Sequence, residues 1–197
     1  RAVSLGSDAI DPNLKPMKSQ EMSFGVEHQM SAVTAVSLRY VHKGLIRAVD
    51  DTGSFNDSGE IYVIANPGFG MTQIACGPDK GCSPTVALPK ARRSYDSVEF
   101  AFTKNMSHNW YFRGSYMWSR LYGNYSGLDQ TDENGRQAPN TGRLYDYPIM
   151  SFDQSGNDVE GVLGTDRPHQ LKAQVIYTLP FGTTVGLNEY VASGVPK

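Results

Sequence analysis

Four histidines, His28, His42, His108 and His169, are the side chains that a metal centre or an acid–base reaction would draw on first. They are scattered with no partner at ligand spacing, and His28 and His108 sit at turns, where a polar tip needs no special role. The acidic run Asp129 to Gly135 has its carboxylates misplaced for an EF-hand and reads as a solvated loop. No Gly-x-Ser-x-Gly, Walker or His-Glu-x-x-His pattern is present, so no set of acid, base and nucleophile can be assembled. The expectation is therefore no enzyme, no metal and no cofactor. Cys76 and Cys82 bracket Gly-Pro-Asp-Lys-Gly, a short loop that fits a disulfide in an oxidising compartment. Two unrelated thiols or half of a metal site are the alternatives, and the spacing is poor for zinc. What remains is surface chemistry. Tyr122, Tyr125, Tyr145 and Tyr147 lie in or beside polar connections, where their rings could stack on sugars or other flat ligands. Aromatics placed at a rim for interfacial reasons alone are the alternative.

Composition narrows the class of partner. A net charge of −2 gives no basic footprint, so nucleic-acid binding has no support. No apolar run approaches the ~18 residues of a transmembrane helix, and mean hydropathy is −0.41. Helical spans are excluded, but a barrel hides its apolarity in alternation and is not. The 20 Gly and 8 Phe, 11 Tyr and 2 Trp suit β-structure with many turns. The chain opens at Arg1 with neither Met nor signal peptide and reads as an internal piece of something longer.

The elements that must position these residues are hairpins. Val98 to Thr103 alternates apolar with polar or small residues, and so does Trp110 to Ser119. Phe100, Phe102, Trp110, Phe112, Tyr116, Trp118 and Tyr122 then share one face. A turn centred on Met106 would set Phe102 opposite Trp110, Phe100 opposite Phe112, and Glu99 opposite Arg113. Trp110 to Tyr122 spans about 40 Å of strand, or roughly 30 Å of height when tilted ~40°, near the ~25 Å apolar band and aromatic girdles of an outer-membrane barrel. The other face gathers Glu27, Arg39, Glu99, Arg113, Lys172 and Gln174, either a polar lumen wall or the solvent face of an ordinary sheet.

Similar alternation predicts hairpins at about 18–42, 95–122 and 169–193, joined by long connections at about 43–94 and 123–168. Residues 1–16 show no periodicity, and Glu60 to Ala65 is one strand-like insert. The third hairpin turns at Pro180-Phe181-Gly182. Glu189 falls on its apolar face, which calls for a bulge or a position near the rim. Structureless loops of 40 to 50 residues are rare in compact soluble domains, yet barrels carry long loops on one side and short turns on the other. The fold expected is all-β: an antiparallel up-and-down meander of about six long strands, an incomplete segment of a transmembrane β-barrel. A soluble carbohydrate-binding β-sandwich and a structural or adhesive surface barrel are the rivals.

The chain also resembles the Oar-like TonB-dependent receptors, outer-membrane transporters with a carboxypeptidase-regulatory-like N-terminal domain. The segments that carry the likeness are Asp11 to Pro16 leading into Met17-Lys18-Ser19-Gln20-Glu21, Arg39-Tyr40-Val41-His42-Lys43, Tyr145-Asp146-Tyr147-Pro148 and Thr165-Asp166-Arg167-Pro168-His169-Gln170-Leu171-Lys172. The resemblance implies that 1–197 is part of a receptor β-barrel in the cell outer membrane. It implies a 22-stranded barrel, an N-terminal plug domain, energy from TonB, and import of a large or scarce nutrient. Its partners would be outer-membrane lipid, the remainder of its own barrel with the plug, and the TonB system. Plug, TonB-binding segment and signal peptide have no counterpart in these residues, and the last of them, Gly194-Val195-Pro196-Lys197, lacks a terminal aromatic.

Overall fold

The computed structural model describes residues 9–56, 59–69, 72–74, 85–127, 145 and 152–196. Every regular element among them is a strand: β1 (Ala9–Ile10), β2 (Lys18–Ser31), β3 (Thr34–Arg47), β4 (Asp50–Asn56), β5 (Gly59–Ala65) and β6 (Thr72–Ile74). They continue as β7 (Thr85–Ala87), β8 (Arg93–Ser107), β9 (Trp110–Gly123), β10 (Gly161–Val162), β11 (His169–Thr178) and β12 (Thr184–Ala192). Six of them form one sheet in the order β12-β11-β9-β8-β3-β2, an up-and-down antiparallel meander. Short β10 adds to the end of β9 through Gly161 opposite Gly123 and Val162 opposite Tyr122. Among the described residues the sheet is open, with β2 and β12 at its two ends.

Tight turns join the members of each hairpin. Between β2 and β3, the Ser31 hydroxyl oxygen accepts the N–H groups of Val33 and Thr34. Between β11 and β12, Gly182 sits at φ 89°, where a side chain would strain the backbone. Its N–H donates to the Leu179 carbonyl, and the Leu179 N–H to that of Thr183. Between β8 and β9, His108 and Asn109 both have positive φ, 50° and 67°, the left-handed pair that a two-residue hairpin needs.

That last turn corrects the expected register. The reversal is at His108–Asn109, and Met106 lies within β8. The Phe102 ring meets Phe112, with centroids 5.9 Å apart. Glu99 pairs with Arg39 of β3 at 2.7 Å, whereas Arg113 faces Gln174 of β11. His28 is no turn residue either, since it lies inside β2.

The chain folds as two compact units. One holds residues 21–43, 94–121 and 164–197, the greater part of the six long strands. The other holds 1–20, 44–93 and 122–163, and has a small core of its own: Ala48, Leu88, Ala91, Tyr125 and Tyr145. Sequence reading treats 43–94 as a loop with one insert. Here β4 and β5 instead form a seven-residue ladder from Asp50–Ala65 to Asn56–Gly59, and β1 joins β5 in parallel. Residues 90–92 and 124–125 are clasped together by backbone and amide. The Arg92 carbonyl accepts N–H groups from Asn124 and Tyr125 at 2.9 and 3.1 Å, and the Asn124 amide returns bonds to Arg92 N–H and Lys90 O. Gly123 makes the clasp possible: with φ 147°, an added Cβ would lie 2.1 Å from the Arg92 carbonyl oxygen.

Candidate membrane interface

Strand geometry alone assigns the faces of the sheet, because successive side chains alternate and paired residues share a side. The β9–β11–β12 register is unbroken and yields five rows on one face. They are Trp110–Tyr177–Val185, Phe112–Val175–Leu187, Gly114–Ala173–Glu189, Tyr116–Leu171–Val191 and Trp118–His169, the last reaching Ser193 through its N–H bond to the His169 carbonyl. The two rows on either side of the centre all carry rings, and the middle row alone has none, only two small residues and one acid. Tyr116 and His169 stack at 6.2 Å and share a 2.7 Å hydrogen bond between the hydroxyl and Nδ1.

This face is uncovered. Phe100 is 49% exposed and Trp118 42%, with Trp110, Tyr116, Leu171, Tyr177 and Leu187 also exposed. Phe102, Phe112 and Tyr122 are half-buried. On β2, Met22, Phe24, Val26 and Met30 are likewise exposed. A continuous apolar face of this extent is unusual on a soluble monomer.

The opposite face is polar. Arg39 pairs with Glu99, Lys43 with Glu21 at 3.0 Å, and Arg113 lies opposite Gln174. The Lys172 ammonium lies 5.9 Å from the Tyr190 ring, and Glu27 is exposed on β2. Exposed pairs of this kind contribute about 0–1 kcal/mol each, so they report a wet environment more than they stabilise the sheet.

Alternation also hid two residues. Lys104 occupies a position on the apolar face yet is only 8% exposed. Its ammonium folds over the hairpin end, donating to the carbonyls of Asn105, Ser107 and Trp110 and to the Ser107 hydroxyl, 4.0 Å from the Trp110 ring centre. Glu189 is neither in a bulge nor at the rim. It faces Ala173 in regular register in the middle row. A lapse in alternation was the sequence signal in both cases.

The proposed ligand aromatics fare differently. Tyr125 and Tyr145 are 3% and 1% exposed and belong to the small core, so they offer no ring to a ligand. The Tyr125 hydroxyl donates to the Val49 carbonyl at 3.1 Å. Burial, and then the Asp50 carboxylate, push the Tyr145 phenol far above its usual range. Tyr147, Cys76 and Cys82 lie outside the described residues. Among the described residues, no group of His, Cys, Asp and Glu could hold a metal ion.

Comparison with known proteins fits this geometry. The TonB-dependent transporter Oar of Myxococcus xanthus is 29% identical over 197 residues, covering 98% of this chain. The chain spans only 17% of that relative's length. No solved structure matches. The outer membrane β-barrel domain model matches residues 2–195, which leaves no place for a soluble sandwich. The match covers nearly the whole chain, whose long strands form an up-and-down antiparallel meander, and the chain belongs to the outer membrane β-barrel domain family.

Proposed function

We propose that this chain is a wall segment of a TonB-dependent transporter. Phe100, Phe102, Trp110, Phe112, Tyr116, Trp118 and Tyr122 face lipid, and Glu27, Arg39, Glu99, Arg113, Lys172 and Gln174 face the barrel interior. The observation that carries the reading is the exposure of Phe100 and Trp118 on a sheet whose other face is charged. Rings left open on one side, ion pairs on the other, and three tight turns that alternate along the chain with long connections are the anatomy of an outer-membrane wall. Six long strands are fewer than the eight of the smallest bacterial barrels, so the segment does not transport alone.

In the complete protein the wall encloses a plug domain, draws energy from the TonB system, and serves import of a large or scarce nutrient. Similarity to the Myxococcus xanthus transporter supports this role, and it is one of transport and not catalysis. The test is uptake by cells with and without the full-length receptor, using labelled solutes too large for porins. At least one solute should accumulate only when the receptor is present and the inner membrane is energised. Accumulation that never depends on both would end the proposal.

A further inference from the structure

One acidic side chain sits where a lipid-facing surface has no use for it. Glu189 lies in the third of the five rows, level with Ala173 and Gly114. Its neighbours on that face are Leu187 and Val191 along its own strand, Leu171 and Val175 diagonally, and Ala173 directly across. Among the described residues it makes neither an ion pair nor a hydrogen bond. Nothing on three sides answers the charge, which leaves the fourth: the edge of β12, free among the described residues.

Backbone pairing shows how a neighbour would meet it there. The β11–β12 ladder is bracketed by the Leu179 N–H bond to the Thr183 carbonyl and the Ser193 N–H bond to the His169 carbonyl. Alternation through the unbroken register places Val185, Leu187, Glu189 and Val191 in the same class, with their backbone groups directed at β11. Gly186, Asn188 and Tyr190 therefore present theirs to the free edge. A strand added at that edge meets Glu189 in a non-hydrogen-bonded pair, the closer kind, with Cα atoms about 4.5 Å apart. An open edge is not tolerated in hydrocarbon, so a barrel must place a strand there.

We infer that the strand beside β12 in the complete barrel carries a Lys or Arg opposite Glu189, and that this intramembrane ion pair sets the register of the seam. The inference rests on the lipid-facing assignment proposed above. Ionisable groups at membrane depth are paired as a rule. A slip of one residue would turn the cation to the interior and strand the carboxylate in lipid, so the pair selects one register among its neighbours.

The test uses the full-length receptor. Cysteine replaces Glu189 in combination with cysteine at successive positions of the adjacent strand, and oxidative cross-linking is read in isolated outer membranes. One position should dominate, and its natural residue should be Lys or Arg. Glu189→Lys should lower the folded receptor about tenfold or more, and exchanging both charges should restore it. A dominant position that is naturally uncharged or acidic, no cross-link at any position, wild-type assembly of Glu189→Lys, or an exchange that fails to rescue would each overturn the inference. Leu171→Arg, run alongside, separates the two levels of argument. Normal assembly of Leu171→Arg would sink the lipid-facing assignment itself, whereas its loss beside a tolerated Glu189→Lys would sink the ion pair alone.

Discussion

Replacing Leu171 and Gln170 by arginine, one at a time, puts the same charge on adjacent residues that point to opposite faces. Leu171 is 45% exposed between Tyr116 and Val191, one row from the centre of the apolar face. Rows are two residues apart, about 6.7 Å along a strand and roughly 5 Å in height at a tilt of ~40°. An arginine at the midplane of a barrel wall costs about 2–4 kcal/mol, falling to about 0–1 at the interfaces. Interpolating across half of a ~25 Å band gives about 1–3 kcal/mol for Leu171→Arg, roughly a 5- to 150-fold loss in the folded-to-unfolded ratio. Gln170 lies on the polar face between Met117 and Ala192 and accepts one exposed bond from the Tyr190 hydroxyl at 3.1 Å. Losing that bond costs no more than about 1 kcal/mol, and the new guanidinium remains in water. The assay is urea-dependent unfolding of the full-length receptor in phospholipid vesicles, followed by the gel mobility of unheated samples. The midpoint should fall clearly for Leu171→Arg and little for Gln170→Arg. Equal shifts, or a larger one for Gln170→Arg, would refute the assignment of faces.

Three further outcomes follow from particular contacts. Lys104→Met removes the donor shared by three carbonyls and the Ser107 hydroxyl at the hairpin end, and should cost roughly 1–3 kcal/mol in the same unfolding assay. Gly123→Ala drives a methyl into the Arg92 carbonyl, so limited proteolysis should cut within 44–93 or 122–163 far faster than in the wild type. Buried Tyr145 ionises less readily folded than unfolded, so the stability it confers is complete below the ordinary tyrosine value of 10.0 and is lost as pH rises beyond it. Tyr145→Phe should blunt that alkaline loosening, read by near-ultraviolet circular dichroism. Identical alkaline profiles for both proteins would contradict the burial argument.

Strand alternation made most of the sheet legible. Met22, Phe24 and Val26, Phe100 and Phe102, and Leu171 to Tyr177 announce their strands by period two, and a tight turn between two such runs leaves few topologies. The turn at His108–Asn109 is hidden from face matching for a physical reason. Matching apolar faces demanded an even index sum, while the two-residue turn that Asn109 favours has an odd one. Phe102 still reaches Phe112, so one arm must absorb an extra residue, an irregularity invisible to face matching. Tyr125 and Tyr145 look like rim residues in the sequence because each is a tyrosine in a polar stretch. Only the tertiary clasp of Asn124 on Arg92 and Lys90 shows that the stretch folds into a core. Parity suits Glu99 to Arg39 and Arg113 alike, and pair geometry alone decides for Arg39.

The central claim is that one face of this sheet meets lipid while the other meets an aqueous interior. Spin labels at single cysteines report it most directly, at positions 100, 116 and 118 against 99, 113 and 115 of the full-length receptor in membranes. The first set should collide readily with dissolved oxygen and rarely with a water-soluble nickel chelate, and the second set should do the reverse. Labels at 100 and 118 that reach nickel as freely as those at 99 and 113, or that reach neither reagent, would contradict it.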